Sequence, residues 1–193
     1  MMTVMTRVPR DSKGWTVADL EHLPDDGQRY ELLDGELLVS SAPAVRHQVV
    51  ALELAIVLRA ACPAGLYVLR APVDWQPDGP TSAGRTSFQP DVLLVPAKSL
   101  DAKNITEPLP LAVEVLSPST RGRDLVEKRA KYESSGVASY WVVDPDEPSV
   151  LARDLVDGRY RSAGAASGAQ KLELTLPFPV TLTPSALLAP YHR

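Results

Sequence analysis

FQPDVLLVP (Phe88–Pro96), LPLAVEVLSPST (Leu109–Thr120), RGRDLVEKRAKYESSG (Arg121–Gly136) and ASYWVVDP (Ala138–Pro145) are the segments whose reading decides the fold. They read in turn as strand, strand, helix, strand. Leu109–Leu116 is almost continuously apolar, the composition of a strand covered on both faces. Ser139–Val143 reads the same way. An unpaired charge inside such a strand costs several kcal/mol or titrates until it is neutral. Asp91 and Glu114 interrupt two of these strands, and Lys128 follows on the helix, so these ionisable groups call for a use.

Working outward, YELLDGELLVS (Tyr30–Ser40) is a hairpin. Its Asp34-Gly35 pair suits a two-residue turn with positive φ at both central positions. Thr16 is placed to cap a short helix, VADLEHL. AVRHQVVALELAIVLRAAC predicts the longest helix. Val45, Val49, Leu52, Ile56 and Ala60 recur at the helical period, and Val50, Leu54 and Leu58 widen that stripe. LYVLRAPVDWQ is a strand candidate, and QPDGPTSAGRTS is a polar, turn-rich loop. Beyond Gly136, which stops the crossover helix, VLARDL and GRYRS form a second hairpin around Asp157-Gly158. KLELTLPFPVTLTP reads as one last strand and SALLAP as a short closing helix. The expected organisation is a flexible leader over residues 1–14 and one α/β domain over 15–193, a central mixed β-sheet flanked by helices with N-terminal and C-terminal hairpins.

With 193 residues, a single domain can bury an adequate core. No apolar run reaches the roughly 18 residues of a membrane span, and the N-terminus lacks the apolar segment of a signal peptide. Cys62 is the only cysteine, which excludes an intrachain disulfide and a cysteine-cluster zinc site. A cytoplasmic location, without membrane association, is therefore expected. The net charge of −4 argues against a chain coated in positive charge for nucleic acid, but it leaves room for a local basic patch.

Asp91 and Glu114 lie on plausible neighbouring strands. Carboxylates so placed can share a hard cation, Mg2+ or Mn2+, with the Val115 carbonyl as a further ligand. Such a cation neutralises charge on a phosphate and lowers the pKa of an attacking water. Asp124, Lys128 and Tyr132 repeat at four-residue steps and share one helix face. Lys128 is thus directed to stabilise negative charge or orient water. Asp124 is placed to hold the lysine, and Tyr132 to pack beneath it or donate to phosphate. Arg121, Arg123 and Arg129, with Lys128 and Lys131, make a local basic cluster suited to nucleic-acid phosphates, which Arg153, Arg159 and Arg161 would extend.

The ordered set PD, EVLS, D, K, Y and YWVVD, preceded by RYELLDGEL and RHQ, resembles the Uma-two family of restriction-endonuclease-like nucleases, within the PD-(D/E)XK nuclease superfamily. The resemblance covers residues 15–185. It implies a restriction-endonuclease-like fold and a metal-dependent endonuclease. Asp91 and Glu114 would be the metal-binding and catalytic acids. The superfamily places a lysine two residues after the second acid, where this chain has Leu116; Lys128 matches a lysine moved to the following helix. Glu31 and His47 match further polar positions, to which the resemblance assigns no firm role.

Each candidate has a structural alternative: a solvated helix lysine for Lys128, an exposed acid beside a turn for Glu31, a surface or capping residue for His47. Ser117 lacks the Gly-x-Ser-x-Gly elbow of a nucleophile. The leading expectation is a Mg2+- or Mn2+-dependent endonuclease acting on nucleic acid, with DNA the expected polymer and a homodimer the expected assembly. The rivals are a non-catalytic nucleic-acid-binding or regulatory module on the same fold, and a structural protein that assembles through sheet edges or the Tyr140-Trp141 region.

Overall fold

The computed structural model describes residues 5–8, 14–79, 83–118 and 121–192. Strand β1 (Met5–Val8) is followed by helix α1 (Val17–Leu20), whose start is fixed by a capping box in which Asp19 accepts hydrogen bonds from the Thr16 backbone and hydroxyl. Strands β2 (Arg29–Leu33) and β3 (Glu36–Ser40) form the expected hairpin. Asp34 and Gly35 take φ of 49° and 88° at its turn. Strand β1 pairs antiparallel with β3. The chain from Met5 to Val8 is therefore an edge strand rather than part of a flexible leader; most of that leader lies outside the described residues.

Helix α2 (Val45–Ala61) leads to β4 (Leu66–Arg70), the polar loop, and β5 (Val92–Pro96). Next come β6 (Leu111–Val115) and a crossover made of α3 (Arg121–Arg123), a π-helical turn (Asp124–Lys128) and α4 (Arg129–Ser134). Ser119 and Thr120, whose hydroxyls suit the N-cap of this crossover, lie outside the described residues. Gly136, at φ 78°, takes the left-handed conformation that ends the helix. Strand β7 (Ser139–Asp144) precedes the second hairpin, β8 (Ser149–Val156) and β9 (Arg159–Ser167), which turns at Asp157-Gly158 as expected. The last segment is two short strands, β10 (Leu172–Leu174) and β11 (Val180–Leu182), paired antiparallel, rather than one. The Pro177 and Pro179 positions between them break the extended run. The closing helix is of the 3-10 type, over Pro184–His192.

Six strands form one mixed sheet in the order β4-β5-β6-β7-β8-β9. Only β6 and β7 run parallel, because only they are joined by a helical crossover. Side chains alternate across the sheet. Val92, Leu94, Val113 and Val115 face one core with α2 and the β10–β11 hairpin. Leu93, Val95, Ala112 and Leu116 face a second core with Trp75, Phe88, Tyr132 and Tyr140.

Helix α2 buries a different face from the one its periodicity suggested. His47, Val50, Ala51, Leu54, Ala55 and Leu58 point inward, while Val45, Leu52 and Ile56 are exposed. The helix is apolar nearly all round, so spacing alone did not select its inner stripe. Tyr140 and Trp141 are fully buried and cannot serve as an assembly surface. No helix among the described residues is long and apolar enough to cross a membrane.

Candidate functional site

The two-residue period of β6 sets Glu114 on the same face as Ala112 and Leu116, against the second core. The antiparallel register of β5 and β6 puts Val92 opposite Val113. One step further along, Asp91 stands opposite Glu114 on that face. The hairpin β2–β3 covers this end of the sheet, and the π-helical turn passes over it. The structure thus gathers Glu31, Asp91, Glu114, Asp124 and Lys128, all of them buried.

Lys128 is the centre of the cluster. Its Nζ lies 3.0 Å from Glu31 Oε1, 3.0 Å from Glu114 Oε1 and 3.9 Å from Asp124 Oδ1. It also stands 5.2 Å from the centroid of the Phe88 ring. At 1% side-chain exposure it is not a solvated helix lysine. Burial opposes its charge, but Glu114, Glu31 and Asp124 more than compensate and raise its pKa. A π-helical turn is a rarer and wider form than an α-helix and often marks functional sites; here it carries Asp124 and Lys128 at its two ends. Tyr140 donates from its hydroxyl to the Asp124 carbonyl at 2.7 Å, which ties that turn to β7.

Tyr132 both packs and bonds. Its ring stacks on Trp75 at a centroid distance of 5.2 Å, and its hydroxyl donates to Glu114 Oε1 at 2.7 Å. Burial and the nearby Glu114 push its own pKa well up, so it stays a donor. Glu31 is fully buried, with Oε1 accepting also from the Gln89 amide at 2.8 Å. Burial raises its pKa, but Arg29 and Lys128 outweigh that and hold it below the ordinary value.

Asp91 is clamped on both oxygens. Oδ1 is 3.0 Å from Arg29 Nη1; Oδ2 accepts from the Val115 amide at 2.8 Å and lies 3.1 Å from His47 Nε2. Burial disfavours its charge, yet the His47 hydrogen bond and the Arg29 charge hold its pKa well below the ordinary range. Glu114 behaves in the opposite way. Burial, reinforced by Asp124, Asp91 and Glu31 against the opposing pull of Lys128, pushes it up to about 8. Two acids on adjacent strands are therefore driven apart in pKa by their surroundings.

The cluster opens onto a cavity of about 330 Å3 lined by Arg29, His47, Asp91, Glu114 and Asp124, with Arg46 and Asp146 among its other walls. Glu31 and Lys128 lie behind this wall. Among the described residues, no three His, Cys, Asp or Glu side chains are already drawn together as a ligand shell.

Arg121, Arg123 and Arg129 do not line this cavity. Arg121 pairs with Asp144. Lys131 is taken up by Asp34 at 2.6 Å and Asp78 at 3.7 Å. Arg153, Arg159 and Arg161 lie on β8 and β9, toward the other edge of the sheet; Arg159 pairs with Glu133 at 3.3 Å. Lys128 is sealed and Lys131 is paired, so neither stands as a free cation in the basic cluster expected from the sequence.

Sequence reasoning missed Arg29. It stands two residues before Glu31 on β2, so the strand period places both on one face. Its Nη2 lies 3.0 Å from Glu31 Oε2, and it bridges the two acids that the fold brings together. That alternation was legible in RYELL, but nothing local identified the face as buried.

A family model described as "Putative restriction endonuclease", Uma2, matches residues 17–188. Among solved structures, the chain is similar to a protein from Anabaena variabilis ATCC 29413 described as "a putative nuclease belonging to DUF820". The identity is 16%, the TM-score 0.70, and the likeness covers 90% of this chain and 97% of the other. At that identity the likeness establishes a common fold. No curated protein matches the chain.

Proposed function

Because the chain belongs to the Uma2 family of restriction-endonuclease-like proteins, we propose that it is a metal-dependent endonuclease that hydrolyses phosphodiester bonds of nucleic acid, with DNA as its polymer. The observation that carries this reading is Lys128, buried between Glu31 and Glu114 behind a cavity walled by Asp91, Glu114 and Asp124. The lysine missing at Leu116 is supplied in space by Lys128, 3.0 Å from Glu114.

The donor set fits a hard divalent cation. Glu31, Asp91, Glu114 and Asp124 outnumber Arg29 and Lys128 by two charges when all are ionised. Burial first, and that surplus after it, raises the pKa of Glu114 to about 8. All the acid donors are oxygens, which suits Mg2+ or Mn2+. Asp91 and Glu114 would hold the ion, with Asp124 and the Val115 carbonyl as further donors at the same cavity. When bound, the ion neutralises phosphate charge and acidifies the attacking water.

Around it the chain's own groups have separate tasks. Tyr132 and Lys128 fix Glu114 Oε1. Glu31 and Asp124 fix Lys128 in turn, so its ammonium is held in place before substrate arrives and stabilises developing negative charge. His47 and the Val115 amide orient Asp91. Cutting both strands of a duplex would use two copies related by a two-fold axis.

The test is a cleavage assay on plasmid, single-stranded DNA and RNA with Mg2+ or Mn2+, comparing wild type with Glu114→Ala and Lys128→Ala. Cation-dependent scission in wild type, lost in both folded variants, is the expected result. Undiminished cleavage in both variants would remove the assigned roles. Salt-sensitive binding without scission under any cation would favour the second reading, a non-catalytic nucleic-acid-binding module, which Leu116 at the superfamily's lysine position favours.

A further inference from the structure

Cationic groups at this site are not equivalent. Lys128 is sealed and held by Glu31, Glu114 and Asp124, so it is fixed in place and cannot turn to follow a substrate. Arg29 lines the cavity with 20% of its side chain exposed. It holds Asp91 Oδ1 with one terminal nitrogen and Glu31 Oε2 with the other, each at 3.0 Å. Its Nε is buried and has no partner among the described residues. Asp91 Oδ2 is already shared by His47 and the Val115 amide. Oδ1 is therefore the oxygen of Asp91 that an incoming cation would take, and Arg29 sits on it.

Building on the phosphodiesterase reading above, we infer that Arg29 is an exchangeable substrate-positioning residue. In the cation-free protein its guanidinium occupies Asp91 Oδ1. When Asp91 becomes a ligand, the released Nη1 turns to a phosphate oxygen of the polynucleotide, while Nη2 keeps its hold on Glu31. A planar guanidinium can make this change by a small rotation, because its donors form a fork that matches carboxylate and phosphate alike. The exchange couples cation uptake to substrate grip. It also places the phosphate contact inside the cavity, away from the Arg121, Arg123 and Arg129 surface.

The consequence has opposite signs for two ligands, which a purely structural role would not produce. Calorimetric titration with Mn2+ alone should show tighter binding in Arg29→Gln than in wild type, by about three- to tenfold. The KM for a fluorescein-labelled DNA duplex in Mn2+ should rise about tenfold or more, the loss of one hydrogen bond to a charged group. Arg29→Lys keeps the charge but cannot span Asp91 and Glu31 together; it guards against misfolding and should show both changes to a smaller extent. Mn2+ affinity that falls or stays unchanged in the folded variants, or an unchanged KM, overturns the inference while cation binding and cleavage by wild type leave the phosphodiesterase reading standing. If wild type neither binds Mn2+ nor cuts any polymer, both fall.

Discussion

Replacing Lys128 by methionine keeps most of the side-chain volume and deletes the charge at the centre of the site. In the wild type that charge lies 3.0 Å from two carboxylates and 3.9 Å from a third. Removing one partner of a buried ion pair costs about 3–5 kcal/mol, because the other is left uncompensated. A solvated lysine in an i,i+4 pair would cost only about 0.3–0.5 kcal/mol. For a chain of this size the larger figure corresponds to a fall in Tm of about 6–20 °C. The loss should also depend on pH. Without Lys128 the remaining carboxylates gain further affinity for protons in the folded state. The folded variant then binds more protons than the folded wild type, so its stability declines more steeply as pH rises. The destabilisation should be larger at pH 9 than at pH 5.5. Urea denaturation in a chelator, followed by the fluorescence of buried Trp75 and Trp141, measures both quantities. A loss under about 0.5 kcal/mol, or one that does not change between these pH values, would refute the argument that Lys128 is a buried keystone of an acid cluster.

Three further expectations follow from the same geometry. Glu114 has a folded-state pKa raised from 4.5 to about 8, so the folded chain binds the extra proton between those values. The group's contribution to stability should therefore fall as pH rises through that window, and Glu114→Gln should flatten the Tm–pH curve there; Asp91 and Glu31, both lowered, act at the acid end, where stability is lost as pH falls below about 4. Uptake of Mn2+ should release about one proton at pH 7 and almost none at pH 9.5, as read by calorimetry in buffers of different ionisation enthalpy; equal release at both would contradict the Glu114 assignment. At the β2–β3 turn, Gly35→Ala should destabilise by about 1–3 kcal/mol, because Gly35 sits at φ 88°, which strains any residue with a Cβ, while the Arg85 guanidinium beside it can move aside; an unchanged urea midpoint would show that the hairpin turn is not constrained.

Much of this architecture is written in short-range pattern. The Asp34-Gly35 and Asp157-Gly158 turns, the two-residue alternation of the strands and the stop at Gly136 each depend on a few neighbouring residues, and all appear in the structure. Glu114 was legible for the same reason: a charged residue inside LAVEV can have no solvated alternative once that strand is covered. The site's other members were harder. The i,i+4 spacing of Asp124 and Lys128 is equally at home on a wet helix surface, and Glu31 beside a turn reads as exposed.

By itself, then, the sequence determined most of the strand and helix segments, which residues share a face within each, and that Asp91 and Glu114 needed partners. Only the tertiary structure decided what each face meets. It turned α2 so that His47 reaches Asp91, split the final segment into two strands, buried Lys128, and brought in Arg29. The physical reason is range. Backbone geometry is governed by residues a few positions apart, whereas the charge balance of the site is closed by Lys128 and Glu31, 97 positions apart in the chain, and such a pairing leaves no periodic trace in either segment.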